Sequence, residues 1–124
     1  MIDIDSLPAY RKITWRTTMR NFILLCSFLL SANAYSAEHV VEIYKKKYIP
    51  AQITIVEGDT VIWKNMEKRQ YHNVWFKQFD QEEPDYFFPD ESYQRRFEKT
   101  GTFPYECGPH PRMKGKVIVI GKSK

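Results

Sequence analysis

The stretch CGPHPRM, residues 107–113, places a thiol, an imidazole and a thioether at every third position: Cys107, His110 and Met113. Thiolate and thioether are soft donors that suit Cu(I), while imidazole suits Cu(II), so the set can hold one metal in two oxidation states. Zinc fits less well, because Met is not a usual zinc ligand and the spacing matches none of the Cys/His zinc motifs. A Cys–His pair can also act in nucleophilic catalysis, but neither an Asn or Asp orienter nor a substrate pocket announces itself. Taken singly, each residue has a plainer role: a buried Cys is a small hydrophobe, a His is structural, a Met fills a core. Their occurrence together within seven residues favours a metal. Pro109 and Pro111 bracket His110, fixing two φ angles, removing two backbone donors and restricting the residues before them, which stiffens the loop.

The elements that must position these groups read as short strands. EHVVEIY (38–44) is rich in β-formers, and QITIVEGDTVIWKN (52–65) divides into two strands at Glu57-Gly58-Asp59. QYHNVWF (70–76), SYQRRFEK (92–99), TFPYEC (102–107) and GKVIVIG (115–121) complete about seven strands, a count that predicts a β-sandwich or barrel. Residues 77–91 could hold a short helical turn. Alternation places Phe103, Tyr105 and Cys107 on one face and Pro104 and Glu106 on the other. Pro104 cannot donate to a ladder, so its strand should lie at an edge or carry a bulge. In the same way His72, Val74 and Phe76 point together, which makes His72 the candidate fourth ligand. With it the set becomes two His, one Cys and one Met, the trigonal arrangement with a weak axial thioether that copper electron-transfer sites use. His39, near the start of the first strand, is expected to be solvated rather than a ligand.

The N-terminal third has a different character. From Met19 to Ala34 the chain runs from Arg20 through an apolar stretch, Phe22–Leu30, to Ala32-Asn33-Ala34. This is the layout of an export signal. The apolar run is about half the roughly 20 residues that a membrane span needs. Cys26 is a poor lipid-attachment site, since Leu24 and Leu25 precede it. The expected division is a leader and signal over 1–37, with Met19 a possible true start and cleavage near Ala34–Ala37, followed by one domain over 38–124. From Glu38 onward there are 15 Lys and Arg against 13 Asp and Glu, a net charge of +2 beside +4 for the whole chain. A nucleic-acid partner is not implied. Removal of the signal leaves Cys107 as the only cysteine, so no internal disulfide can form. An exposed lone thiol would be vulnerable to oxidation in an exported protein, and an occupant for Cys107 is expected.

The strings Y.P..I.V..GDTV.W.N (48–65), HNV.F (72–76), F..TGTF.Y.C (97–107), C..HP.M (107–113) and KGKVIV (114–119) resemble the cupredoxins. Within these small blue-copper proteins the likeness is greatest to the amicyanin and plastocyanin group, and it covers roughly residues 40–120. The two-residue gaps in the ligand loop match amicyanins; plastocyanin loops are longer. The resemblance implies a Greek-key β-sandwich of seven to eight strands. It also implies one copper ion bound by His72 Nδ1, Cys107 Sγ, His110 Nδ1 and Met113 Sδ. Asn73 would tie the two ligand-bearing segments together by hydrogen bonds. His110 would be the partly exposed ligand, set in a docking patch with Pro109 and Pro111. The implied role is that of a monomeric periplasmic one-electron carrier, without substrate turnover and without membrane insertion. It would run between a dehydrogenase donor and a c-type cytochrome or oxidase acceptor.

Two departures bear on the partner. Arg112 stands where amicyanins usually carry an apolar residue, so a cation would flank the electron exit; it would raise the potential and select an acidic partner face, or else simply lie over the surface. The segment 77–92 carries six acidic residues around Tyr86, Phe87 and Phe88; charge runs of this kind are commonly solvated loops, but the aromatic residues argue for packing or docking. The run Lys45-Lys46-Lys47 reads as a strand-end surface with a possible steering role. A copper-delivery or storage protein is the competing function, since Cys, His and Met sites serve both.

Overall fold

The computed structural model describes residues 35–123; the stretch expected to be an export signal, with Met19 and Cys26, lies outside the described residues. The compact unit Ser36–Lys124 contains seven strands: β1 (Glu38–Tyr44), β2 (Lys47–Ile49), β3 (Gln52–Val56), β4 (Thr60–Asn65), β5 (Ser92–Arg96), β6 (Gly101–Glu106) and β7 (Lys114–Ile120). They form two mixed sheets, ordered β2-β1-β4-β5 and β3-β7-β6. β1 lies parallel to β4 and β3 parallel to β7, while the other neighbours are antiparallel. This is the all-β sandwich the strand count predicts. Among the described residues there is no helix, and hence none long and apolar enough to cross a membrane.

Period-two alternation explains the core. Val41 and Ile43 of β1, Val61 and Trp63 of β4, Ile55 of β3 and Val117 and Val119 of β7 are all buried, while their neighbours in sequence face outward. Trp63 sits in the aromatic centre, with ring centroids 6.1 Å from Phe76, 5.7 Å from Tyr93 and 5.4 Å from Tyr105. Pro104 lies on β6, an edge strand, where its missing N–H costs no ladder bond.

Two turns set the register. Tyr44 pairs with Lys47, so Lys45 and Lys46 alone make the β1–β2 turn, both with positive φ, 51° and 54°, as a tight hairpin turn demands. Between β3 and β4, Gly58 takes φ +93°, and Asp59 folds back to accept hydrogen bonds from Val56 N (3.1 Å), Ala37 N (3.0 Å) and His39 Nε2 (2.9 Å). His39 is therefore not simply solvated: it is held by Asp59, far from being a metal ligand but fixed in place. Burial alone would raise the Asp59 pKa, yet the hydrogen bonds from His39, Ala37 and Val56 outweigh it and hold the carboxyl below its ordinary range.

The ladder differs from the expectation in three places. β2 is an added strand, completed by the turn at Lys45-Lys46. The strand expected over 92–99 stops at Arg96: Phe97 N still reaches Asp59 O (2.9 Å), but Asp59 N goes to Val56 O (3.0 Å) and Phe97 O takes Gly58 N–H (2.7 Å), so the pairing ends at the β3–β4 turn. Residues 70–76 form no strand; they carry only two isolated bridges, His72 to Phe87 and Trp75 to Glu106. This segment leaves the β4 sheet at one end and meets the edge of β6 at the other, so it cannot run beside either strand for long. The expected helical turn in 77–91 is likewise replaced by turns and extended chain.

Candidate metal centre

His72 hangs from the first sheet. Its N–H and C=O pair with Phe87 O (3.1 Å) and N (2.9 Å). The fully buried Asn65, at the end of β4, donates from Nδ2 to both Gln70 O (2.8 Å) and Phe87 O (3.2 Å), so it props the chain on either side of the imidazole. Cys107 follows β6 and Met113 precedes β7, which places both on the second sheet. The loop between them closes on its own backbone: His110 N donates to Cys107 O (3.2 Å), Met113 N to His110 O (2.9 Å) and Cys107 N to Met113 O (3.1 Å). Prolines on both sides of His110 leave no competing donors, so the loop has few other ways to satisfy itself.

The donor atoms converge. Cys107 Sγ lies 3.6 Å from His72 Nδ1 and 3.6 Å from His110 Nδ1, and one ligand atom from each residue falls within 4.8 Å of the others. His72 and Cys107 are fully buried, Met113 is buried beside them, and His110 is half-buried. One thiol proton cannot serve two imidazole nitrogens at once, so three lone-pair atoms face a common point that a cation would satisfy. A first-row ion bonds imidazole at about 2.0–2.1 Å and thiolate at about 2.3 Å. Bond angles between tetrahedral and trigonal then require N···S separations of about 3.6–3.8 Å, in agreement with the observed spacing. The residues fit the metal.

Electrostatics prepare the same state. Burial, then the proximity of His110 and Lys46, lowers the His72 pKa; burial and Lys46 lower that of His110. Both rings thus keep their lone pairs free at neutral pH. Burial pushes the Cys107 thiol up, against the pull of the Asn73 and His110 backbone amides, so the thiol holds its proton until a cation displaces it. His72 Nε2 has no hydrogen-bond partner, and the nearest carboxylate, Glu67 Oε1, stands at 3.7 Å.

Asn73 joins the two halves. Its Oδ1 accepts Gly108 N–H (2.8 Å), and its carbonyl accepts the Tyr48 hydroxyl (2.7 Å). Around the half-buried His110 ring, Pro111, Arg112 and Met113 meet Lys46 and Lys47 across an open depression; Pro109 is half-buried next to it. Sequence reasoning named the four candidate ligands and Asn73, and Lys46 only as part of a basic run, but it gave no role to Tyr48, Asn65 or Glu67. Tyr48 and Asn65 left a trace, as the first and last residues of the string Y.P..I.V..GDTV.W.N. The acidic segment is also less free than a charge run suggests. Asp80 pairs with Arg95 (2.9 Å), Glu91 Oε2 accepts Phe88 N–H (2.7 Å), and Phe87 is buried, while Tyr86 and Phe88 stay exposed and gather around Tyr71.

Residues 36–120 match the family described as copper binding proteins, plastocyanin/azurin family. Among curated proteins, amicyanin of Paracoccus versutus is 42% identical over 84 residues, covering 64% of this chain and 63% of the relative. The chloroplastic plastocyanin of Tetradesmus obliquus is 34% identical over 105 residues, covering 75% and 72%. The chain thus spans less than two thirds of the length of the Paracoccus versutus amicyanin it matches. Among solved structures, the crystal structure of amicyanin from Paracoccus versutus aligns with a TM-score of 0.62 at 37% identity, covering 73% of this chain and 86% of that one.

Proposed function

The chain belongs to the plastocyanin/azurin family of copper-binding proteins, and from that premise we propose that it is a one-electron carrier. Its cofactor is one copper ion. In this reading His72 Nδ1, Cys107 Sγ, His110 Nδ1 and Met113 Sδ would hold the ion, a donor set that suits both copper oxidation states. The chain is exported to the periplasm after loss of the leader. There it works as a monomer between a dehydrogenase-type donor and a c-type cytochrome or oxidase acceptor.

Copper supplies a reversible one-electron couple; the residues supply a frame that changes little between its two states. The observation that carries the reading is the convergence of Cys107 Sγ on two imidazole nitrogens, each 3.6 Å away, from backbone segments fixed independently by Asn65, Phe87 and the closed 107–113 loop. A donor set held this firmly resists the rearrangement that would slow electron exchange. The burial of His72, Cys107 and Met113 also opposes handing the metal to another protein, which requires incoming ligands to reach it; this favours a carrier over a delivery protein. The half-buried His110, flanked by Pro109, Pro111 and Arg112, is the route by which electrons enter and leave, and Lys46, Lys47 and Arg112 suit an acidic partner face.

The test is the visible spectrum and voltammetry of the copper-loaded domain. A carrier gives an intense thiolate-to-Cu(II) band and a reversible wave, and Cys107→Ala abolishes both. A blue, redox-active Cys107→Ala protein would refute the assignment, and preferential Cu(I) uptake with release to a chelating partner would favour delivery.

A further inference from the structure

One carboxylate in the acidic segment is built into the metal centre. Glu83 Oε1 accepts a hydrogen bond from Asn73 Nδ2 (3.0 Å), whose second hydrogen goes to Pro84 O (3.1 Å). On the other side of the same amide, Oδ1 takes Gly108 N–H. Asn73 is fully buried, and only one orientation of its amide matches a donor to Gly108 and two acceptors in the segment. Gly108 explains how the carboxylate gets so close. A methyl group built on its α-carbon would overlap the Glu83 carboxyl, so the missing side chain at 108 is the space that Glu83 occupies. Gly108 is also the residue next to Cys107. Among the described residues no Lys, Arg or His pairs with Glu83, so nothing neutralises its charge locally.

We propose that Glu83 is a positioning residue of the copper site: seated in the space left by Gly108, it fixes the Asn73 amide that binds the His72 segment to the Cys107 segment, and its negative charge lowers the reduction potential. The proposal rests on the carrier reading for its second half only. A negative charge beside the centre favours the more positive oxidised state, which is the sign of the shift. The segment is anchored for this role, because Phe87, four residues on, is the backbone partner of His72, and Asp80, three residues back, is held by Arg95.

Two substitutions separate geometry from charge. Glu83→Gln keeps an oxygen acceptor for Asn73 but removes the charge; Glu83→Ala removes both. In the metal-free protein, hydrogen exchange at Gly108 N–H should be about tenfold faster in Glu83→Ala, the worth of roughly one hydrogen bond, and near wild type in Glu83→Gln. Gly108→Ala should harm this protection in the wild-type background and do less in the Glu83→Ala background, because the two changes act on one contact. In the copper-loaded protein, Glu83→Gln should raise the midpoint potential with the visible band unchanged. Unaltered Gly108 exchange in Glu83→Ala, or additive effects with Gly108→Ala, would overturn the clamp. A potential that stays level or falls in Glu83→Gln would overturn the charge role. A protein that passes the exchange test yet takes up no copper would refute the carrier reading and with it the charge role, while the clamp would stand.

Discussion

Met113 is the candidate ligand whose replacement should change the site without destroying it. It is buried behind the loop it closes, with its N–H on His110 O, and Leu has nearly its volume. Met113→Leu should therefore keep the thiolate band. It should raise the potential by about 60 mV or more, a tenfold gain for the reduced form, because the more positive Cu(II) loses more than Cu(I) when a lone-pair donor is removed. Voltammetry beside the visible spectrum checks this; loss of the band would mean that the thioether is a structural necessity and not a tuning ligand. The four candidate ligands were legible because each is a rare residue type in a telling spacing. The roles of Glu83, Glu67 and Tyr48 were not, since Glu and Tyr are common and only the fold decides which of them meets Asn73 or His72; Glu67 is just five residues from His72 and Glu83 ten from Asn73, spacings that mark nothing by themselves. Nothing in EEPDYFF marks its second Glu as different from the first.

Among the elements, the strands with strict alternation, β1, β3, β4 and β7, lie close to their expected bounds. The segment 70–76 has the composition of a strand but no neighbour long enough to pair with. Pairing is a tertiary property and left no local mark. The same holds for β2, three residues that become a strand only because two lysines accept left-handed turn geometry. The β3–β4 turn offers a test at this scale. Asp59 ties Ala37, His39 and Val56 together, and Thr60 N returns a bond to Ala37 O (3.0 Å), so it fastens the start of β1 alongside β4. Asp59→Ala should cost about 2 kcal/mol, since buried hydrogen bonds to a charged acceptor are lost together. The Asp59 carboxyl titrates lower in the folded protein than in the unfolded chain, where it has an ordinary value near 3.9. Its contribution is therefore complete above about pH 4 and is lost as the pH falls through the folded value. Urea unfolding of wild type and Asp59→Ala at neutral pH and at pH 3 should give curves that draw together in acid; a gap that stays constant would deny the carboxylate this role.

At the scale of the whole molecule, net charge says little and its placement says more. The domain from Glu38 carries only +2, yet Lys46, Lys47 and Arg112 gather beside His110, while Glu82, Glu83 and Asp85 lie on the segment behind Asn73. The sequence showed the basic run and the acidic run but not which would face His110, because the β1–β2 turn reaches the 107–113 loop only through the fold. Arg112→Phe should slow electron exchange with ferricyanide several-fold at low ionic strength, weaken its dependence on salt and lower the potential. Unchanged rates, salt dependence and potential would reduce Arg112 to a surface side chain.

At the end where the donor atoms meet, Asn73 Oδ1 takes Gly108 N–H and the backbones of Trp75 and Glu106 pair, so the two ligand-bearing segments are already tied. His72 is suspended from one sheet and Cys107 and Met113 from the other, so an ion held by them would be a further rivet through both. Binding of this kind adds directly to folding free energy, by about 1.4 kcal/mol for each tenfold rise of free metal above the dissociation constant. With copper held there, the resistance of this protein to heat would be no fixed property of the polypeptide but a gauge of how much copper surrounds it.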